Sequence, residues 1–236
     1  MEKFLPVGQF DFRCGKHSDP LLLLSGPPSS GKTSLLFQFA INSATGSDSN
    51  VVFICNRRKL ESKPPYLAQG IDPSPQVLHR IQMKYIDNEE GIKKYFAAFH
   101  MHDPAPVSVI IDDFADFFDE GNCQERYNNT RGRDLAMVRV LALCRNAILY
   151  ANEKGPCQLL LSDTHNGDSP RLLYLYKRWI SSIYTIKGDG SGSYLIRSSN
   201  NLGVAKSART KLAKYSIALQ YLLYEGLTED EEQSDE

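Results

Sequence analysis

The chain predicts an α/β domain: a mostly parallel sheet flanked by helices, with an antiparallel carboxy-terminal edge. Three observations carry this expectation. Short apolar runs alternate with longer stretches of helical periodicity, as in strand–helix–strand units. The stretch GPPSSGKT, residues 26–33, joins the first apolar run to the first helical one. Beyond residue 178 the helical stretches give way to strand–turn–strand patterning.

The runs LLLLS (21–25), VVFIC (51–55), HRIQMKYI (79–86), VSVIID (107–112) and QLLLSD (158–163) are the expected strands. Their near-continuous apolar character suits strands covered on both faces. Helices are expected at 31–45, 89–101 and 132–153. In the last, Leu135, Val138, Leu141, Ala142, Arg145, Ile148 and Leu149 recur at three- and four-residue steps and mark the face expected to meet the sheet. WISSIYTIKG, DGSG and SYLIRSS then read as two strands joined by a glycine-rich turn. In KYSIALQYLLYEG, Tyr215, Ile217, Leu219, Tyr221 and Leu223 alternate as in a strand, and a strand is expected although the Leu and Ala content also suits a helix.

With 236 residues, 42% hydrophobic and 23% charged, the chain supports one large core and is short for two. Residues 1–226 are read as that core and residues 227–236 as an acidic, disordered tail. The last nine residues hold six carboxylates, and without them the formal charge moves from −1 to +5, so the folded body is mildly basic. Five cysteines, at 14, 55, 123, 144 and 157, never form a CxxC pair, which fits a reducing compartment without a zinc site. Cys14 and His17 are two ligands where a structural site needs four. The amino terminus lacks a signal-like pattern and no apolar run reaches the length of a membrane span, so a soluble intracellular protein is expected.

A strand that ends in a glycine-rich loop and turns into a helix aims several backbone N–H groups at one point, where the helix dipole also favours negative charge. Gly26, Pro27, Pro28, Ser29, Ser30, Gly31, Lys32, Thr33 and Ser34 are the expected nucleotide cradle. Lys32 supplies a cation for the β and γ phosphates, and Thr33 a hydroxyl for Mg²⁺. The run VSVIIDDFADFF delivers Asp112 and Asp113 to a neighbouring strand end, where a carboxylate would hold the hydration shell of Mg²⁺. Asp112 is the preferred metal partner, while Asp113 caps or polarises a water. Lys32, Asp112 and Asp113 are the catalytic candidates, with ATP and Mg²⁺ as cofactors. No NKxD stretch for guanine recognition occurs, and RGRD at 131–134 imitates the arginine-bearing lid of a small-molecule phosphotransferase.

The order of the phosphate loop, VVFIC, the strand ending IIDD, an arginine-bearing loop before a long helix, QLLLSDTH and the IYTIKGDGSGSYLIRSSNN hairpin resembles the RecA-like recombinase core over about residues 5–226. NRRKLESKPPYL after the second strand and the short length look most like the SWIM-domain-associated ATPase paralogue of homologous recombination. The resemblance implies a nuclear protein that binds single-stranded DNA, pairs with a zinc-binding SWIM-domain protein and supports a RecA-like recombinase in DNA repair.

Family residues transfer unevenly. The glutamate that activates water after the second strand falls on Arg57, which cannot act as a base. Glu61 would substitute only if its loop bends back. The glutamine that senses the γ phosphate after the fifth strand is replaced by Asp163, Thr164 or His165, so slow hydrolysis is expected. The two DNA loops of the family correspond to residues 119–134, with Arg126, Arg131, Arg133 and Tyr127, and to residues 164–179, with Arg171, Lys177, Arg178, Tyr174, Tyr176 and Trp179. Cations interleaved with rings suit sequence-tolerant strand binding. Phe37 and Ala40 match a Phe-x-x-Ala docking pattern but are read as core residues of the first helix. A non-hydrolysing scaffold acting through protein contacts is the main alternative function.

Overall fold

The computed structural model describes residues 4–5, 20–165, 173–200 and 210–230. All five apolar runs become strands: β1 (Leu21–Gly26), β2 (Val51–Cys55), β3 (Ile81–Tyr85), β4 (Ser108–Ile111) and β5 (Gln158–Thr164). Four more follow: β6 (Ser182–Gly188), β7 (Ser193–Asn200), β8 (Thr210–Ala218) and β9 (Tyr221–Asp230). They form one sheet in the order β3, β2, β4, β5, β1, β6, β7, β8, β9. Pairing is parallel from β3 through β6 and antiparallel from β6 to β9.

Burial follows position in the sheet. β1, β2 and β4 are buried along their whole length, whereas the edge strand β3 buries Ile81 and exposes Tyr85. The helices are α1 (Lys32–Thr45), α2 (Arg57–Ser62), α3 (Pro75–His79), α4 (Glu89–Ala97), α5 (Glu120–Tyr127), α6 (Gly132–Asn152) and α7 (Leu173–Tyr176). Alternate residues of β1 feed opposite faces: Leu21 and Leu23 pack with α4 and α6, Leu22 and Leu24 with Leu35, Leu36 and Phe39 of α1. The architecture is that of a RecA-like core, helices on both faces of a mostly parallel sheet with an antiparallel carboxy-terminal edge.

Three details depart from the sequence expectation. The buried stripe of α6 is Ala136, Met137, Val140, Leu141, Cys144, Ile148 and Ala151, whereas Leu135 and Leu149 are exposed. This helix is apolar over so much of its circumference that periodicity identified a helix but not the phase of its inner face. KYSIALQYLLYEG is strand as expected, but it is broken into the end of β8 and the start of β9 by a turn with Leu219 and Gln220 at φ of 51° and 63°. Two consecutive positive φ angles make a primed hairpin turn, normally the place of Asn-Gly. Finally, β9 continues to Asp230, so strand structure enters the segment expected as tail; residues 231–236 lie outside the described residues.

Short polar segments that read as loops also contain helices with side-chain caps. Asn56, Ser74 and Asp119 accept from the amides of Lys59, Val77 and Asn122 and start α2, α3 and α5. Helix α5 lies within the 119–134 stretch expected as an open DNA loop.

Candidate nucleotide-binding site

The carboxyl ends of β1 and β4 lie two strands apart with β5 between them, the edge of an open α/β sheet where ligands bind. At the end of β1 the chain makes a tight arc before α1, with Ser29 at φ 60° and Gly31 at φ 77°. Gly31 is required twice over: its φ lies in the left-handed region, and a Cβ there would meet Ile217 Cδ1 at 2.6 Å. Gly26 is set by space alone, since a Cβ would approach Ile186 Cβ to 2.9 Å. The Ser30 hydroxyl donates back to the Pro27 carbonyl at 2.9 Å and closes the arc.

Lys32 begins α1 and is 6% exposed. Its ammonium donates to the Pro27 carbonyl at 3.0 Å and to the Gly26 carbonyl at 3.4 Å, lying across the mouth of the loop. Burial lowers its pKa, while Asp113, Asp112 and Asp163 pull the other way. Among the described residues this buried cation donates to carbonyl oxygens and touches none of the nearby carboxylates, which places it to receive an anion.

Thr33 and Asp112 meet directly: the threonine Oγ1 donates to Asp112 Oδ2 at 2.8 Å. The other carboxylate oxygen accepts from the Ser162 hydroxyl at 2.8 Å, and Ser162 Oγ in turn accepts from the Asp113 amide at 2.8 Å. Ser162 therefore orients Asp112 from the neighbouring strand and leaves one oxygen facing Thr33. Burial raises the Asp112 pKa, with the Asp113 charge adding to it and the Thr33 and Ser162 hydroxyls opposing. A hydroxyl and a carboxylate oxygen converging beside a phosphate loop fit Mg²⁺, a hard cation that takes few protein oxygens and keeps water and phosphate ligands.

Asp113 sits at φ 49° and accepts from Thr164 Oγ1 at 2.7 Å. Of the three residues considered after β5, Thr164 thus faces the acidic pair. Asp163 is buried beside Tyr176, and burial pushes its carboxyl up to about 6 against the Tyr176 hydroxyl and the Thr164 amide. His165 is buried with its Nδ1 2.9 Å from the Ser25 hydroxyl.

The exit of β2 is basic. Arg57 projects from the first turn of α2, exposed, with Nε donating to Glu61 at 2.7 Å and its guanidinium 5.5 Å from the centre of the Tyr85 ring. Glu61 is held on the helix surface by that i,i+4 pair and does not bend back to the cleft. Lys59, three residues past the Asn56 cap, pairs with Asp116 across a small cleft lined also by Asn56, Asp87, Asp112, Asp113 and Phe117. The cleft next to Thr33 and Asp112 is thus bridged by an ammonium group.

The DNA candidates are divided by the fold. Arg126 is engaged by the buried Glu89 and by Glu90 of α4. Arg133 turns inward and donates from Nη2 to the Ala115 carbonyl at 2.9 Å. Tyr176 is fully buried and packs edge-on to Phe114, so it is not a free stacking platform. Arg139 covers the Tyr127 ring at 4.9 Å. Arg131, Lys177 and Arg178 are exposed, as is Tyr174, whose hydroxyl donates to Asp134 at 2.9 Å. Arg171 lies outside the described residues. As expected of core residues, Ala40 is buried and Phe37 packs on Phe53, 6.0 Å between ring centres.

The chain is 32% identical over 102 residues to ATPase SWSAP1 of Homo sapiens. It is similar to a SWIM-domain-associated, RecA-like ATPase. The aligned stretch spans 43% of this chain and 43% of that relative. No protein-family model matches the chain. The similarity to an ATPase agrees with a glycine-bearing loop that carries the buried Lys32 and sets Thr33 against Asp112.

Sequence reasoning missed Ser162, Lys59, Tyr194 and Tyr215. A serine interrupting the apolar run of β5 was the available signal for the first. The others depend on contacts across the fold: Tyr194 and Tyr215 reach the phosphate loop from 165 and 185 residues away.

Proposed function

We propose that this chain is an ATP-binding, RecA-like core that hydrolyses ATP slowly, binds single-stranded DNA and supports homologous recombination repair in the nucleus as the partner of a zinc-binding SWIM-domain protein. The observation that carries the nucleotide reading is the meeting of Thr33 and Asp112 at 2.8 Å beside the buried Lys32. The loop amides and Lys32 would hold the phosphate chain, and Thr33 and Asp112 a Mg²⁺. That ion would supply neutralisation of charge between the β and γ phosphates. Ser162 orients Asp112, and Thr164 orients Asp113 near the position of an attacking water.

Slow turnover is inferred from the exit of β2. Where a carboxylate base is needed, this chain carries Arg57, committed to Glu61, and Lys59, committed to Asp116. Of the other acids lining the cleft, Asp112 and Asp113 already carry hydroxyl partners and Asp87 accepts from the Asn56 side-chain amide at 3.4 Å. The same observation favours a second reading, a non-hydrolysing scaffold in which nucleotide only orders the surface used by protein partners. Arg131, Lys177 and Arg178 are the candidate phosphate contacts for DNA, with the recombinase itself as a further partner. Among the described residues no helix is long and apolar enough to cross a membrane.

The test is nucleotide affinity and turnover, with and without single-stranded DNA. Lys32→Ala should fold and lose ATP binding by at least tenfold, and unchanged affinity in a folded variant rejects the cradle. Slow turnover raised by DNA supports the ATPase; binding without turnover selects the scaffold. Replacing Arg131, Lys177 and Arg178 by Ala should flatten the salt dependence of DNA binding by about 0.7 in log–log slope per lost contact, and an unchanged slope removes these residues from the DNA surface.

A further inference from the structure

The carboxy-terminal strands do more than widen the sheet. Since β6 runs parallel to β1, β7 antiparallel to β6 and β8 antiparallel to β7, the carboxyl half of β8 lies at the same edge as the phosphate loop. From there Tyr215, fully buried on β8, donates its hydroxyl to the Ser30 carbonyl at 2.6 Å. Tyr194, on β7, donates to the Ser29 carbonyl at 3.3 Å. The two rings stack at 5.4 Å with 25° between their planes, so each fixes the other. Ile217, two residues on and so on the same face of β8, occupies the space that a side chain at residue 31 would need.

The consecutive carbonyls have a consequence for the amides that follow them. A trans peptide is planar, and its C=O and the next residue's N–H point in opposite directions. Holding the Ser29 carbonyl towards the tyrosines turns the Ser30 N–H away from them, and holding the Ser30 carbonyl does the same for the Gly31 N–H. Ser29 reaches this arrangement at φ 60°, a left-handed conformation unfavourable for a residue with a side chain. An arc of this kind relaxes unless neighbouring groups hold it. Two hydroxyls on a stacked pair, anchored in a four-strand antiparallel edge, provide that restraint.

We propose that Tyr215 and Tyr194 are positioning residues that aim the Ser30 and Gly31 amides at the bound phosphates, making affinity for polyphosphate depend on the carboxy-terminal strands. This rests on the reading of the loop as a nucleotide cradle. The tyrosines touch no phosphate and act through the two peptide planes. Any partner that bends β7 or β8 would thereby alter the grip on nucleotide.

The experiment compares the full chain with Tyr215→Phe and Tyr194→Phe, measuring equilibrium affinity for ATP and for inorganic tripolyphosphate, each with Mg²⁺, beside urea unfolding. Tyr215→Phe should lose about five- to twelvefold in affinity for both probes, the upper part of the range for one hydrogen bond. Tyr194→Phe, with the longer contact, should lose about two- to threefold. A loss of stability with affinity for both probes unchanged would mean a purely structural role and overturn the proposal. Loss for ATP but not for tripolyphosphate would place the tyrosines on the nucleoside and overturn it equally. If Tyr215→Phe does not fold, Tyr194→Phe decides, and unchanged affinity there is a refutation. Failure of the unaltered chain to bind either probe overturns the nucleotide reading itself, and this proposal with it.

Discussion

Replacing Asp163 by Asn should make the protein more stable. Asp163 is 5% exposed at the end of β5, and burial raises its carboxyl pKa to about 6. An unfolded aspartate titrates near 4, so the folded state binds this proton more tightly than the unfolded state does. The sign follows: the group's contribution is fully favourable below about pH 4, is lost as pH rises through about 6, and leaves a cost at neutral pH. Two decades of proton affinity correspond to roughly 3 kcal/mol. Asparagine is neutral, keeps an oxygen for the Thr164 amide that donates at 3.0 Å, and adds an amide that must find its own acceptor. The expected net gain is therefore roughly half, about 1–2 kcal/mol, or about 2–6 °C in midpoint for a chain of this size. Urea unfolding between pH 5 and 8 measures it. Wild-type stability should fall from pH 5 to pH 7 relative to the variant, and the two curves should converge at the acid end. A variant no more stable at pH 7.5, or a gap independent of pH, refutes the reasoning. If Asp163 has a nucleotide-sensing role, the more stable protein should also be the poorer binder or catalyst, the trade expected at a functional position.

Asp112→Asn removes a carboxylate whose ionisation burial and Asp113 both oppose. It should raise stability without ligand at pH 7, yet weaken Mg²⁺-dependent nucleotide affinity tenfold or more, read by titration with and without EDTA. Arg126→Ala should destabilise by roughly 1–3 kcal/mol, because it removes the closest cation from buried Glu89 and leaves Lys93 at 4.0 Å. Chemical denaturation checks this, and an unchanged midpoint would free Arg126 for the DNA surface after all. The β8–β9 turn places Leu219, 89% exposed, and Gln220 in the left-handed region. Leu219→Asn with Gln220→Gly should stabilise by roughly 1–2 kcal/mol in thermal unfolding, since these residues adopt that geometry at lower cost.

Much of the fold is written locally. VVFIC and the leucines of LLLLSG are buried on both faces, and a short apolar run of this length, rich in β-branched or aliphatic residues and bounded by turn signals, suits a strand covered on both sides. The phosphate loop is legible for the same kind of reason: only glycine tolerates φ 77° with Ile217 against it, and the lysine and threonine follow at fixed offsets along one helix turn. Asp112 and Asp113 could be placed because a strand fixes which end they occupy. The α6 stripe could not, because its apolar residues nearly encircle the helix and only the neighbouring strands choose a side. The β8–β9 turn escaped because Leu-Gln lacks turn chemistry, its conformation being imposed by the register of the strands on either side.

By itself, then, the sequence determined the strand–helix alternation, the phosphate loop and the acidic strand end, because each depends on residues close together in the chain. Tertiary structure decided the roles of the charged and aromatic side chains. It drew Arg126 to Glu89 and Arg133 to the Ala115 carbonyl, buried Tyr176, and brought two tyrosines from the far end of the chain onto Ser29 and Ser30. Whether a long side chain meets solvent, an ion partner or a backbone carbonyl depends on which distant segment folds beside it, and no local pattern carries that information.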